Sequence, residues 1–377
     1  MQKIKIGLAG FGMSAQVFHL PFWRADARFE VVRVFERSGN RAQEVLPQAQ
    51  TVRSFEELLT DDVDLVVVTT PNQTHFDFAA QALRAGKNVV VEKPLCATAA
   101  QALELAELAE RQGVLLTVYQ NRRWDSAPLT AKKLLSDGLL GEIVDAEFRF
   151  ERYAAALNKK RWKETGEAGV GLVYDLGSHL MDMAVDIFGM PDELYADVRY
   201  QHEGAASDDN FYIALYYADG KKVALTASKY AREPLPFMTL HGKRGSYVKQ
   251  NADNQEALLL GGAQPVGAWN REPEDEWGIL HTEIDGAVVR KKIESVSGNY
   301  AAFYENLYDA LQGKSPAAVQ PRQVAEVLGL LEKVYESAKS GCRGDRVREC
   351  VRGPSGPART GEWPRRACPH PGMRRQG

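Results

Sequence analysis

Three groups of residues in this chain have types and spacings that could do chemistry. The first is Val89-Val90-Val91-Glu92-Lys93-Pro94-Leu95. Successive valines read as a short strand buried on both faces, here stopped by two opposite charges and a proline. Lysine is rarely buried without a partner or a task. In an open α/β sheet, the carboxyl ends of strands face the crevice where ligands bind. Lys93 is therefore expected to aim its ammonium into such a crevice, with Glu92 and Pro94 fixing the chain around it. The alternative is a surface Glu–Lys pair.

The second group is Asp175 and His179, four apart and so on one face of a helix. Dehydrogenating an alcohol needs a base for the hydroxyl proton while hydride leaves carbon, and histidine titrates in the right range. A neighbouring carboxylate can orient and strengthen it. The alternative is a helix-start aspartate beside a hydrogen-bonded core histidine. No third and fourth ligands stand at zinc spacing, so no metal is expected.

The third group is the turn Gly10-Phe11-Gly12-Met13-Ser14-Ala15, a G-x-G-x-x-A pattern directly after an apolar run. Gly10 permits a tight turn, Gly12 lets a pyrophosphate approach the backbone, and Ala15 allows a helix to pack closely on the strand. The N-terminus of that helix would offer free N–H groups to phosphates. Glu36, about 20 residues further on, stands where an acidic residue accepts hydrogen bonds from the adenosine ribose. A carboxylate there repels a 2′-phosphate and favours NAD over NADP. Arg37 could stack on adenine or pair with a 2′-phosphate. Glu36 could also be a solvated loop carboxylate.

These groups need elements to hold them. Apolar runs at Lys3–Ala9, Phe29–Phe35, Val63–Thr69, Val89–Val91 and Val114–Tyr119 read as buried strands. Helical segments lie between them: Thr74 is placed to cap a helix to Leu83 closed by Gly86, and Thr98 one that ends at Gly113. The alternation specifies a doubly wound parallel sheet over residues 1–122. The strand ends carry polar sequence, including Thr70-Pro71-Asn72 and His75, as a cofactor crevice requires. By itself His75 reads as a helix-start residue. From 123 to 339 the pattern changes to an α+β domain with a mostly antiparallel open sheet. Strands are expected at Ile143–Glu151, Glu193–Tyr200, Phe211–Tyr217, Lys222–Lys229, Met238–Leu240 and Ser246–Lys249. Helices are expected at Leu129–Leu135, Tyr300–Leu311 and Arg322–Ser337. The uncovered sheet face is a candidate interface for a homodimer or homotetramer. Trp162, after Lys159-Lys160-Arg161, could cover a nicotinamide or a sugar face, or be a core aromatic.

Composition narrows the function classes. A net charge of -3 over 377 residues gives no electrostatic case for nucleic acid or an anionic membrane. No apolar run approaches the ~18 residues of a membrane span. The chain opens on a strand with no signal segment before it, and Cys96 is the only cysteine before Cys342, so a reducing cytoplasm is expected. Residues 340–377 differ from the rest: they contain no lysine after Ser340 and are rich in arginine, proline and glycine. They lack the periodicity to order themselves. They are expected to be disordered, either as a basic tail for an acidic partner or as a non-native ending left by a change of reading frame.

The glycine turn, Thr70-Pro71-Asn72, Glu92-Lys93-Pro94 and Asp175-x-x-x-His179, in this order, closely resemble the Gfo/Idh/MocA oxidoreductases over Ile4 to about Ala338. The segments Val17-Phe18-His19, Asn121-Arg122-Arg123-Trp124-Asp125 and Ser297-Gly298-Asn299-Tyr300 resemble the subgroup of NADP-dependent scyllo-inositol dehydrogenases. The resemblance implies that Lys93 contacts the nicotinamide ribose and the reacting hydroxyl, that His179 is the general acid/base, and that Asp175 binds and orients a polyol. It implies a cis Pro94 and a cofactor lined by Asn72, His75, Glu92 and Asn121. It also implies that Tyr153, Arg161 and Trp162 lie near the substrate or nicotinamide. NADP-preferring relatives tend to carry small hydroxyl residues where this chain has Glu36, a departure that favours NAD. The expectation is an NAD(P)-dependent dehydrogenase of a cyclitol or sugar hydroxyl. Its rivals are a dehydrogenase of a nucleotide sugar or other carbonyl compound, and a cofactor-binding regulator without turnover.

Overall fold

The computed structural model describes residues 3–157, 165–167 and 169–341. The tail from 342 onward, and with it the expectation of disorder there, lies outside the described residues.

The first domain is an open parallel sheet flanked by helices. In chain order its elements are β1 (Ile4–Ala9), α1 (Leu20–Ala25), β2 (Phe29–Phe35), α2 (Arg41–Val45), β3 (Gln50–Val52), β4 (Leu65–Val68), α3 (His75–Arg84), β5 (Asn88–Glu92), α4 (Ala99–Gln112) and β6 (Leu116–Tyr119). The sheet order is β3-β2-β1-β4-β5-β6, with every neighbouring pair parallel. The order reverses between β1 and β4, and their carboxyl ends frame the crevice. All four residues of β4 and the three valines of β5 are buried, as a strand covered on both faces demands. Thr98 caps α4 by accepting from Gln101 N–H at 3.2 Å, and Gly113 closes it at φ +66°. Thr74 departs from expectation. A 3₁₀ turn over Asn72–Thr74 precedes α3, and the Thr74 hydroxyl donates to Thr70 Oγ1 at 2.6 Å and Pro71 O at 2.8 Å rather than capping the helix.

The second domain contains α5 (Ser126–Ser136), β7 (Ile143–Glu151), α6 (Ser178–Phe188), β8 (Glu193–Arg199), β9 (Asn210–Tyr216), β10 (Lys222–Ser228), β11 (Met238–Gly242), β12 (Gly245–Lys249), α7 (Gln255–Leu260), β13 (Ile279–Ile284), β14 (Ala287–Lys292), α8 (Ala301–Leu311) and α9 (Pro321–Ser340). The strands form one sheet in the order β14-β13-β12-β11-β7-β10-β9-β8. Only β7 and β10 run parallel. Alternation sends Ala146, Phe148, Phe211, Ile213, Val223 and Leu225 into the core, while Glu147, Arg149 and Tyr212 between them stay part-exposed.

The two C-terminal helices return to the first domain. α9 packs on α4, α6 and β8. Its Val324, Leu328, Leu331 and Val334 belong to one apolar core that runs from Val66 and Val91 to Phe148 and Phe211. On the other face of the parallel sheet, Phe303, Tyr304 and Leu307 of α8 pack with Ile6, Leu8, Phe22 and Phe29. The domains are thus clamped, and groups from each can be held at fixed separation. Among the described residues, no helix is long and apolar enough to cross a membrane.

Leu331 is fully buried in the shared core. Leu331→Ala should destabilise the protein by about 2–5 kcal/mol, the range for a truncated core leucine, in a chemical denaturation curve. A loss well under 1 kcal/mol would contradict the shared core.

Candidate active site

The crevice at the strand ends opens into a cleft of about 890 Å³ between the domains. From the first domain it is lined by Gly12, Met13, Ser14, Thr70, Pro71, Asn72, His75, Glu92, Lys93 and Asn121. From the second it is lined by Asp175 and His179. Lys93 Nζ donates to Asp175 O at 2.7 Å and to Asp175 Oδ1 at 3.3 Å. The lysine side chain keeps 18% of its exposure and the aspartate 33%, so both still face the cleft. Asp175 sits in a five-residue π-helical segment, Val173–Gly177, that runs directly into α6 with buried His179 in its first turn. Wide turns of this kind concentrate at functional sites.

The glycine turn has the shape a pyrophosphate needs. Gly10 has φ +93°, and a Cβ there would meet Thr70 Cγ2 at 3.1 Å and Thr69 Oγ1 at 3.3 Å. A Cβ on Gly12 would meet nothing within 4 Å, so this backbone is open to the cleft. A helix begins at once, Gln16 N–H donating to Gly12 O at 3.2 Å. An open backbone, a helix start and a long cleft beside them fit a dinucleotide.

Glu92 joins the turn to the strand end. Its Oε1 accepts from the Ser14 hydroxyl and lies 3.1 Å from His19 Nε2, while its Oε2 accepts from Lys93 N–H at 3.1 Å. Burial pushes this carboxyl up, but the hydrogen bonds and charge of His19, then Ser14 and Lys93, outweigh it and hold Glu92 below the usual glutamate range. His75 is buried, with Nδ1 at 2.8 Å from Pro94 O and Nε2 at 2.8 Å from Thr70 O. Burial depresses its pKa against those bonds. Its two ring nitrogens face carbonyl oxygens at two strand ends, and His75 begins α3. The Lys93–Pro94 bond is cis.

Several expected residues stand apart from the cleft lining. Gly10, Phe11, Ala15 and Pro94 are not among its lining residues. The Glu36 Oε2 accepts from Ala42 N–H at 2.9 Å, so the carboxylate serves the start of α2 as well as any ribose. Arg37 follows it in an exposed loop. Tyr153 is 44% exposed at a bridge to Tyr230, with the Arg232 guanidinium 3.6 Å over its ring. Arg161 and Trp162 lie outside the described residues.

Other residues shape the site without a local motif to announce them. Asp208, in the loop between β8 and β9, accepts from Val173 N–H at 2.7 Å and from Tyr335 Oη at 2.6 Å. It thereby fixes the start of the segment carrying Asp175. Arg123 is buried against Asp182 of α6, with Nη2 2.6 Å from Oδ1. This clasp holds α6 against the end of the first sheet. Neither pairing has a signal in spacing, because the partners are far apart in the chain.

Comparison with known proteins agrees with this geometry. Residues 4–120 match "Oxidoreductase family, NAD-binding Rossmann fold", and residues 132–343 match "Oxidoreductase family, C-terminal alpha/beta domain". The chain is 37% identical to the uncharacterized oxidoreductase YdgJ of Escherichia coli K12 over 344 residues, covering 89% of this chain and 97% of that one. It is 33% identical to IolW of Bacillus subtilis 168, a scyllo-inositol 2-dehydrogenase (NADP(+)), over 341 residues, 90% of this chain and 95% of that one. A crystal structure from Bacteroides fragilis NCTC 9343 superposes with a TM-score of 0.84 at 44% identity, covering 91% of this chain and all of the other.

The lowered Glu92 carboxyl has a consequence for acid stability. The folded state binds fewer protons at this group than the unfolded state. Its contribution is therefore present at neutral pH and lost as pH falls through the ordinary glutamate range toward the lowered folded value. The stability difference between wild type and Glu92→Gln in urea should shrink from pH 7 to pH 3.5. A difference that stays constant over that range would show that Glu92 is not held ionised.

With an open glycine turn and the Lys93, Asp175 and His179 set on one cleft, and with both halves matched in sequence, this chain belongs to the Gfo/Idh/MocA family of NAD(P)-binding oxidoreductases.

Proposed function

We propose that the protein is a dehydrogenase of a secondary hydroxyl on a cyclitol or sugar, with a scyllo-inositol-like polyol as the favoured substrate. The observation that carries this reading is the meeting of Lys93 with Asp175 across the domain boundary, in the cleft that also holds His179 and the glycine turn. The similarity to the inositol dehydrogenase IolW supports the substrate class.

The roles follow from the chemistry of the groups. The nicotinamide, when bound, exchanges a hydride with the carbinol carbon. Lys93 donates a hydrogen bond to the reacting oxygen and stabilises the charge that gathers there. Asp175 holds the lysine through its carbonyl and carboxylate oxygens, which sets the direction of the ammonium. Its remaining carboxylate surface, part-exposed to the cleft, accepts from a neighbouring polyol hydroxyl. His179 takes the hydroxyl proton during oxidation and returns it during reduction. Burial of His179 at 6% exposure keeps bulk water from competing for that proton.

For the cofactor, we infer that Glu36 favours NAD. One of its oxygens is engaged with α2, and a carboxylate following the second strand would repel a 2′-phosphate. IolW is described as NADP-dependent, so this position is where the two proteins are expected to diverge.

His179→Ala and Lys93→Met should each lower turnover by about 10² or more, the contribution of a positioned acid–base or electrostatic group. The check is a steady-state assay on a panel of inositols, sugars and sugar acids with both cofactors. Near-normal turnover in either variant would remove that residue from the mechanism. No turnover by wild type on any polyol, with saturable cofactor binding, would favour a regulator instead.

Glu36→Ser should move the NADP/NAD ratio of kcat/KM upward by about 10-fold or more, since one like-charge contact is worth a kcal/mol or more. An unchanged ratio would mean that Glu36 serves α2 alone.

A further inference from the structure

His19 takes no part in the chemistry above, yet its side chain is fully buried beside the residue that precedes Lys93. It lies in a π-helical segment, Ala15–His19, that follows the glycine turn. A π turn carries one residue more than an α turn, and such bulges recur at functional sites. Both ring nitrogens are engaged: Nε2 lies 3.1 Å from Glu92 Oε1, and Nδ1 lies 2.8 Å from Tyr304 Oη. The residue before it is pinned as well, since Tyr119 Oη and Tyr304 Oη donate to Phe18 O at 2.8 and 3.2 Å. The ring packs on Tyr119 with centroids 4.3 Å apart. Three segments meet here: the helix start after the glycine turn, the end of β5, and α8 of the second domain.

We propose that His19 is a positioning residue: through Glu92 it locks the glycine turn to the strand end that carries Lys93, and through Tyr304 it ties that joint to α8. The hydrogen bonds define the lever. One Glu92 oxygen holds Ser14 of the turn, and the other holds the backbone N–H of Lys93. His19 supplies a charge-assisted bond to a carboxylate that has little water to replace it. Without that bond the carboxylate either takes up a proton or swings toward another donor. Either way, Ser14 and Lys93 lose their common anchor. The cofactor turn and the ammonium then shift relative to each other, although His19 touches neither substrate nor hydride. This inference rests on the reading of Lys93 as catalytic, but its binding arm can be tested without turnover.

The test uses the full chain carrying His19→Leu, His19→Gln, Glu92→Gln and the His19→Leu/Glu92→Gln double substitution. Kd for NADH and NADPH is measured by fluorescence, and kcat and KM on the best hydroxyl substrate of the panel. His19→Leu should weaken cofactor binding and lower kcat, together by about 10²-fold, the cost of a misplacement near 1 Å, with substrate KM little changed. His19→Gln keeps an N–H donor and should recover most of the loss. The double variant should be no worse than the weaker single, because both substitutions cut the same connection. Wild-type Kd and kcat in His19→Leu, even with a lowered melting temperature, would overturn the proposal. So would losses that multiply in the double variant. If His19→Leu does not fold, the cycle of His19→Gln, Glu92→Gln and their double decides in its place. If wild type oxidises no hydroxyl at all, the functional reading fails, and the Kd cycle alone judges His19.

Discussion

The contact between Lys93 Nζ and Asp175 is the constraint on which the site depends. It joins a strand end of one domain to a helix start of the other. A half-buried ion pair of this kind adds little to stability, because desolvation offsets much of the attraction. Its value is geometric. It fixes where the ammonium points, and it does so only if the two domains are held rigidly. That rigidity comes from apolar packing, with α9 and α8 folded back onto opposite faces of the parallel sheet. The polar contact therefore draws its precision from the buried leucines and aromatics behind it.

The same division of labour runs through the cleft. Groups that face it are held in turn by neighbouring side chains and backbone. Glu92 is held by Ser14 and His19, Asp175 follows a segment anchored by Asp208, and α6 is clasped by Arg123 through Asp182. Such supporting bonds lie in surroundings poor in water, where a hydrogen bond to a charged group is strong and an unmet one is costly. Gly171 shows how tight the support is: a Cβ there would fall 2.0 Å from Asp208 Oδ1.

Much of this was legible in the sequence. Val66–Val68 and Val89–Val91 announce buried strands by composition alone, and the lysine at a strand end points to a crevice by topology. What was missed has identifiable reasons. β3 is Gln-Thr-Val at a sheet edge, too short and too polar for a periodic signal. β14 ends in Arg290-Lys291-Lys292, so its alternation is masked, although Asp285-Gly286 at φ +51° and +78° makes the two-residue hairpin turn that its sequence allows. Thr74 has the chemistry of a cap, but the 3₁₀ turn before it turns its hydroxyl toward Thr70.

Most of the strands and helices, and the residue types at their ends, are readable along the chain. Those depend on burial periodicity and on backbone preferences that act over a few neighbours. Which of those ends meet is set by the packing of the whole chain. Lys93 and Asp175 are 82 residues apart, His19 and Glu92 are 73 apart, and Tyr304 reaches back 285 residues to His19. No local spacing encodes such pairs. They exist because the closing helices bury one continuous core, and that packing, summed over the chain, sets the distance between every polar group it carries.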